Sequence, residues 1–414
     1  MNDVAQSELA RAAAEAVARQ SYGKLVAYLA AQTRDVAAAE DALADAFASA
    51  LANWPAHGVP DAPGAWLLTT AQRKLIDAAR RRRTTRDASD HVALLAEERL
   101  SEEADIPDER LKLMFACAHP AIDANIRAPL ILQTVLGFDA ATIASAFLVA
   151  PPTMGQRLSR AKAKIKLAGI PFRTPERADI PERLASVLDA IYAVFAEGWT
   201  DPIGADARRR GLSSEAIFLG RLVVALAPEE AEAHGLLSMM LHAEARRAAR
   251  RDDRGDFVPL SEQDPARWDA AMIEEAEKAL MQASVLAGDV GRYQLEAAVQ
   301  SAHAARRITR TTDWPAIAAI YGLLWAATGS PVVAMNRAVA IGEAEGAAAG
   351  LFALDEIELD TRIADYQPYW AARAALLARV GDVAEAMLAY QRAIGLERDP
   401  ALRRFLIRRC AELS

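Results

Sequence analysis

"FDAATIASAFLVAPPTMGQRLSRAKAKIK" runs from Phe138 to Lys166 in a chain of 414 residues with a formal net charge of -8. Ile143, Ala144, Phe147 and Leu148 fall on one apolar face at helical spacing, and a break follows at Ala150-Pro151-Pro152. A second helix then begins near Thr153, where prolines and small hydroxyl residues suit first-turn N–H groups that lack intrahelical partners. Met154, Leu158, Ala161 and Ile165 recur as its buried stripe. Opposite them lie Gln156, Arg157, Ser159, Arg160, Lys162, Lys164 and Lys166, all chemically able to reach phosphate or base edges. A charge run alone is most often a solvated face. Two apolar faces, a tight turn and a basic exposed face together predict a helix-turn-helix.

The rest of the chain makes that strip a local exception. Residues 1 to 175 hold 21 Lys/Arg against 20 Asp/Glu, and the remaining residues hold 27 against 36, so nucleic-acid contact belongs in the first part. Apolar residues make up 52% and charged residues 25%, and the alanine excess favours close-packed helices. Two cysteines, Cys117 and Cys410, rule out a disulfide framework or a four-cysteine zinc site and read as buried thiols. Asp3, Glu8 and Glu15 interrupt the opening segment, so neither a secretory signal nor a membrane span is expected and the protein is placed in the cytoplasm.

Nearly every segment reads as amphipathic helix, and no run alternates as a strand would, so the fold class is all-α. Breaks rich in Pro, Gly or charge fall at 53 to 64, 84 to 108, 169 to 181 and 251 to 266. They predict a helical domain over 1–86, an acidic linker over 87–108, a helix-turn-helix domain over 109–172 and a helical array over 173–414. In the array, Gly381, Ala386, Tyr390 and Ala393 stand at the spacing of a tetratricopeptide repeat, where small residues let two antiparallel helices approach. Arg246, Arg247 and the segment from Arg250 to Asp264 read as exposed loop.

A second constellation lies upstream, where "AAEDALADAFASALANW" (Ala38 to Trp54) precedes "PGAWLLTTAQRKLIDAARRRRT" (Pro63 to Thr84). The first piece resembles the acidic helix of sigma-factor region 2 that docks on the clamp helices of RNA polymerase. The second resembles the adjoining segment that engages the promoter -10 element. With the helix-turn-helix as region 4, the order resembles the extracytoplasmic-function group of sigma-70 factors. "DERLKLMFACAHPAI" and "IPERLASVLDAIYAVFAEGW" further resemble its subgroup with a long tetratricopeptide-like C-terminal extension. Ala118, Ala196 and the run Gln72-Arg73-Lys74 depart from that subgroup's usual residues.

The resemblance implies roles residue by residue. Asp41 and Asp45 would contact the polymerase clamp. Trp66, Arg73, Lys74, Arg80, Arg81, Arg82 and Arg83 would serve the -10 element, with cations holding separated strands and an aromatic ring beside them. Core packing is the stronger reading of Trp54, and of Trp66 taken by itself. For the -35 element, Thr153, Gln156, Arg157 and Arg160 occupy the first turns of the recognition helix, and Lys162, Lys164 and Lys166 would contact phosphate. Core RNA polymerase and promoter DNA are the implied partners, and the array is expected to regulate, packing on its own chain or binding a protein, peptide or small ligand.

A one-component helix-turn-helix regulator with a sensing array is the alternative, and it does not require the Ala38 to Thr84 block. No enzyme, cofactor or metal is expected: His57, His91, His119, His234, His242 and His303 lack ligand spacing or catalytic company, and no glycine-rich phosphate loop or nucleophile motif occurs.

Overall fold

The computed structural model describes residues 2–83, 109–147, 149–173, 180–200, 211–286, 288–357 and 363–413. Among them the regular elements are helices, and one isolated antiparallel bridge joins Arg251 and Phe257. The all-α expectation holds. The acidic linker expected over 87–108 lies outside the described residues. The chain forms two compact units, residues 1–194 and 195–414. No helix among the described residues is long and apolar enough to cross a membrane.

The first unit opens with α1 (Asn2–Thr33), α2 (Val36–His57) and α3 (Pro63–Arg83), packed on one another. Asp35 starts α2 by accepting a hydrogen bond from the Ala38 N–H at 3.1 Å, which satisfies a first-turn donor. Val36, Ala39, Leu43, Ala46, Ala50 and Trp54 form its buried stripe, closed from the other side by Leu25, Val26 and Leu29 of α1 and Leu67 and Ala71 of α3. Four further helices follow: α4 (Arg110–Cys117), α5 (Ala124–Leu136), α6 (Ala140–Ala146) and α7 (Pro151–Leu167). Helix α1 packs on α4 and α5, so both small domains expected from the sequence share one unit. Gly23 is why α1 can approach so near: a Cβ there would stand 1.6 Å from the Val135 carbonyl oxygen of α5.

Helix α8 (Ile180–Thr200) spans the division between units. The second unit continues with α9 (Leu212–Leu226), α10 (Ala231–Ala245), α11 (Ala270–Val285), α12 (Arg292–Ala304), α13 (Arg306–Thr309), α14 (Trp314–Thr328), α15 (Pro331–Ala344), α16 (Ala347–Asp355), α17 (Gln367–Val380), α18 (Val383–Leu396) and α19 (Pro400–Ala411). Successive helices pack as pairs. In the α17–α18 pair, Gly381 turns the chain with φ 88°, and Ala386, Tyr390 and Ala393 are buried in the seam, as their spacing implies.

Helix α10 is buried nearly all round, with α9, α11 and α12 packed against it. Gly235 lets the start of α12 press on it, since a Cβ there would meet the Gln294 nitrogen at 2.6 Å. Across the same contact Glu232 caps α12, accepting from the Tyr293 and Gln294 N–H groups at 2.9 and 3.0 Å.

One expectation is corrected in this unit. Arg246, read from the sequence as exposed loop, is buried at 8% exposure, and Arg250 and Arg251 are half-buried. The cause is packing: Arg246 is the C-cap of α10 and donates to the Gln300 side chain of α12, and Arg250 lies 4.2 Å over the Trp199 ring.

Candidate nucleic-acid interface

Helix α7 carries the cationic strip. Ala150 is its N-cap and supplies no side-chain bond, and Pro151 and Pro152 form its first turn rather than a break before it. Thr153 therefore lies inside the helix, exposed on its outer side. Met154, Leu158, Ala161 and Ile165 are buried as the spacing predicts. In α6, Ile143 and Ala144 are buried, whereas Phe147, just past its end, is 37% exposed and Leu148 lies outside the described residues.

The polar residues of the strip on α7 divide into two groups. Gln156, Arg157, Arg160 and Lys164 are exposed, and Arg160 reaches back toward Gln156 one turn earlier. Lys162 instead turns inward and donates to the Glu40 carboxylate of α2 at 2.6 Å, with only 13% and 14% of the two side chains exposed. Lys166 pairs with Asp35 at 2.6 Å, so the residue that caps α2 also tethers the last turn of α7.

Buried polar groups gather around the first pair. Burial lifts the Glu40 carboxyl above its usual range, and the hydrogen bond and charge of Lys162 only partly offset it. Burial and then Glu40 and Asp41 push the Tyr22 phenol well above its ordinary value. Burial pushes the Cys117 thiol up to about 12, which leaves it an inert thiol 3.5 Å from Thr134 Oγ1. Cys410 is half-buried.

Helices α2 and α3 hold the other expected residues. Asp41 and Asp45 are exposed on the face of α2 opposite its stripe. Trp54 is core, and Trp66 is half-buried with its ring 5.5 Å from Trp54 in an edge-on contact. Arg73 and Arg80 are exposed and Lys74 is half-buried. Arg81, Arg82 and Arg83 end α3, but their side chains lie outside the described residues. The -10 set thus follows one helix, and the -35 set another in the same unit.

The sequence reading missed the carboxylates that engage α7, Glu40 and Asp35. Their signal was partial: acids mark α2 and its N-cap, but nothing local sets Glu40 and Asp35 apart from Asp41 and Asp45.

The sigma-70 region 2 family matches residues 17–85, which takes in the Ala38 to Thr84 block, and a family of unknown function (DUF6596) matches residues 183–284. An uncharacterized protein of Rhizobium meliloti (strain 1021) is 38% identical over 384 residues, spanning 91% of this chain and 89% of that protein. No solved structure matches the chain. The chain belongs to one family with that Rhizobium meliloti protein and, through its region 2 domain, to the sigma-70 family of sigma factors, which act in promoter recognition and transcription initiation.

Proposed function

We propose that the protein is an extracytoplasmic-function sigma factor that reads -10 and -35 elements through separate helices and is controlled by its tetratricopeptide-like C-terminal array. In this reading Asp41 and Asp45 meet the clamp helices of core RNA polymerase. Helix α3 holds the opened -10 strand through Trp66, Arg73, Lys74 and Arg80 to Arg83. Helix α7 places Thr153, Gln156, Arg157 and Arg160 at base edges of the -35 element.

The observation that carries the reading is the outer face of α7, exposed side chains able to contact bases and phosphates over a buried apolar stripe, in the same unit as a matched region 2 domain. Lys164 contacts phosphate directly from that face. Lys162 contacts phosphate only after exchanging Glu40 for DNA, so that contact competes with the closed packing of α7 on α2, whereas Lys166, about half exposed beside Asp35, reaches phosphate from the edge of the outer face.

Transcription reconstituted from core RNA polymerase, the full chain and linear genomic DNA tests the proposal. Specific transcripts that require the chain are expected. DNA binding without polymerase and without initiation would overturn it in favour of a one-component regulator.

A further inference from the structure

Ser238, His242 and Arg246 recur every four residues and so share one face of α10 and its C-cap. All three are buried. Among the described residues the Ser238 hydroxyl and both ring nitrogens of His242 lack a hydrogen-bond partner. Arg246 spends Nε on the His242 carbonyl at 3.3 Å and Nη2 on the Gln300 side-chain oxygen of α12, both neutral. No carboxylate among the described residues pairs with it.

A buried guanidinium without a counter-charge is costly, and the carbonyl end of α10 returns only about half a unit of negative charge. Its surroundings add to the imbalance. Arg306 is likewise held by neutral oxygens, those of Ser261 and Gln263 at 3.0 and 2.7 Å. The neighbouring acids are engaged elsewhere: Glu244 on Arg247, Asp399 on Arg251, and Glu277 on Ser301. Glu277 also stands 3.4 Å from His242 Nε2 without hydrogen-bond geometry. Burial first, and then Arg246, lowers His242 to about 4; burial, Arg246 and Arg306 do the same to His303 of α12. Both rings are therefore neutral near pH 7 and leave the positive charge uncompensated.

We propose that this face of α10, closed by Gln300 and His303, is an oxyanion site that takes a carboxylate or phosphate group of a small ligand. The Gln300 side chain rotates off Nη2 on entry, so a neutral acceptor is exchanged for an ionised one. Such charge-assisted bonds to a guanidinium are roughly twice as strong as neutral ones. His242 and Ser238 supply further donors one and two turns up the same face.

The site deepens the regulatory reading of the array, and its effect on transcription rests on that reading; binding itself does not. Thermal denaturation of the full chain is followed at constant ionic strength with added inorganic phosphate or glutarate. A saturable rise in midpoint is expected with at least one of them, unchanged in Arg254→Ala, whose side chain is exposed, and weakened at least tenfold in apparent affinity in Arg246→Met. Gln300→Glu places a carboxylate against Arg246, so this variant is expected to melt higher than the wild type and to lose the response, which keeps the test decisive if Arg246→Met does not fold. No saturable shift with either anion, or a response in Gln300→Glu equal to wild type, would overturn the site. A midpoint shift without any change in reconstituted transcription would leave the site standing and sink the regulatory reading.

Discussion

Lys162 with Glu40 is a nearly buried ion pair that ties α7 to α2, and a double-mutant cycle measures it. Losing one partner of a fully buried pair costs about 3–5 kcal/mol, and an exposed pair is worth about 0.2–1 kcal/mol. The side chains here are 13% and 14% exposed at 2.6 Å, near the buried limit. Glu40 has an escape, however, because its raised pKa lets it take a proton when Lys162 is gone. Lys162→Met is therefore expected to cost about 1–2 kcal/mol, and Glu40→Gln, which strands the ammonium, about 2–3 kcal/mol. The double variant should cost little more than the larger single, giving a coupling of about 1–2 kcal/mol.

Hydrogen exchange resolved to α7 reads this directly, since local opening sets the rate there. Glu40→Gln should speed exchange of the amides around Ala161 to Ile165 by roughly 30- to 150-fold, one decade per 1.4 kcal/mol. Single effects that add within about 0.5 kcal/mol, or unchanged exchange, would refute the pairing. The pH dependence has a defined sign. A carboxyl whose folded pKa is raised holds its proton more tightly in the folded unit than in the unfolded chain. Stability from Glu40 therefore falls as pH climbs from its ordinary 4.5 through its raised folded value, and Glu40→Gln abolishes that slope.

Other outcomes follow from single positions. Arg157→Ala should weaken promoter binding by about 1–3 kcal/mol on some -35 sequences only, while Lys164→Ala weakens it on all and lowers the salt slope by about 1; equal losses across promoter variants for both would refute that division. Asp41→Lys with Asp45→Lys should abolish binding to core polymerase while the melting midpoint stays within the shift of about 0.5 kcal/mol usual for surface changes, and retained pull-down would refute the clamp assignment. Gly23→Ala drives a Cβ against the Val135 carbonyl, so a loss of about 1–3 kcal/mol, or roughly 2–12 °C in midpoint, is expected by calorimetry. His242 and His303 have folded pKa values near 4 against an ordinary 6.5, so the unfolded chain binds protons first as pH drops. The second unit should lose stability progressively from pH 6.5 to about 4, and a midpoint flat over that range would refute their burial.

The helices and their buried stripes were legible because period 3.6 is written in residues such as Met154, Leu158, Ala161 and Ile165, and Val36 to Trp54. The turn at Gly381 was legible for the same kind of local reason. What lies between distant segments was not. Nothing near Gly23 announces Val135, and nothing near Arg246 announces Gln300 of α12, so Arg246 read as loop although it is core. Arginine is exposed in most proteins, and the packing of α10 on α12 overrides that tendency here.

The strip on α7 shows how far local reasoning could have gone. At about 100° per residue, taking Leu158 as zero, Met154, Ala161 and Ile165 fall within about 60° of it on one side. Arg157, Lys164, Thr153, Arg160 and Gln156 then cluster on the far side, about 100° to 200° away, whereas Lys162 and Lys166 flank the stripe at about 40° and 80°. A lysine 40° from a buried stripe borders the core, and it can stay charged there only with an acid to meet it. The wheel thus separates cations that charge counting merges: Arg157, Arg160 and Lys164 turned outward, Lys166 at the edge, and Lys162 turned toward the body of the unit. It cannot say which acid Lys162 meets; Glu40 is 122 residues away in sequence, and only the tertiary structure joins them. If DNA claims the outer face while Glu40 retains Lys162, the protein binds -35 DNA without opening, and substituting Lys162 leaves promoter affinity unchanged. If promoter binding opens the pair, Glu40→Gln raises affinity for DNA while destabilising the free protein, a combination of opposite signs that no simple loss of folding produces.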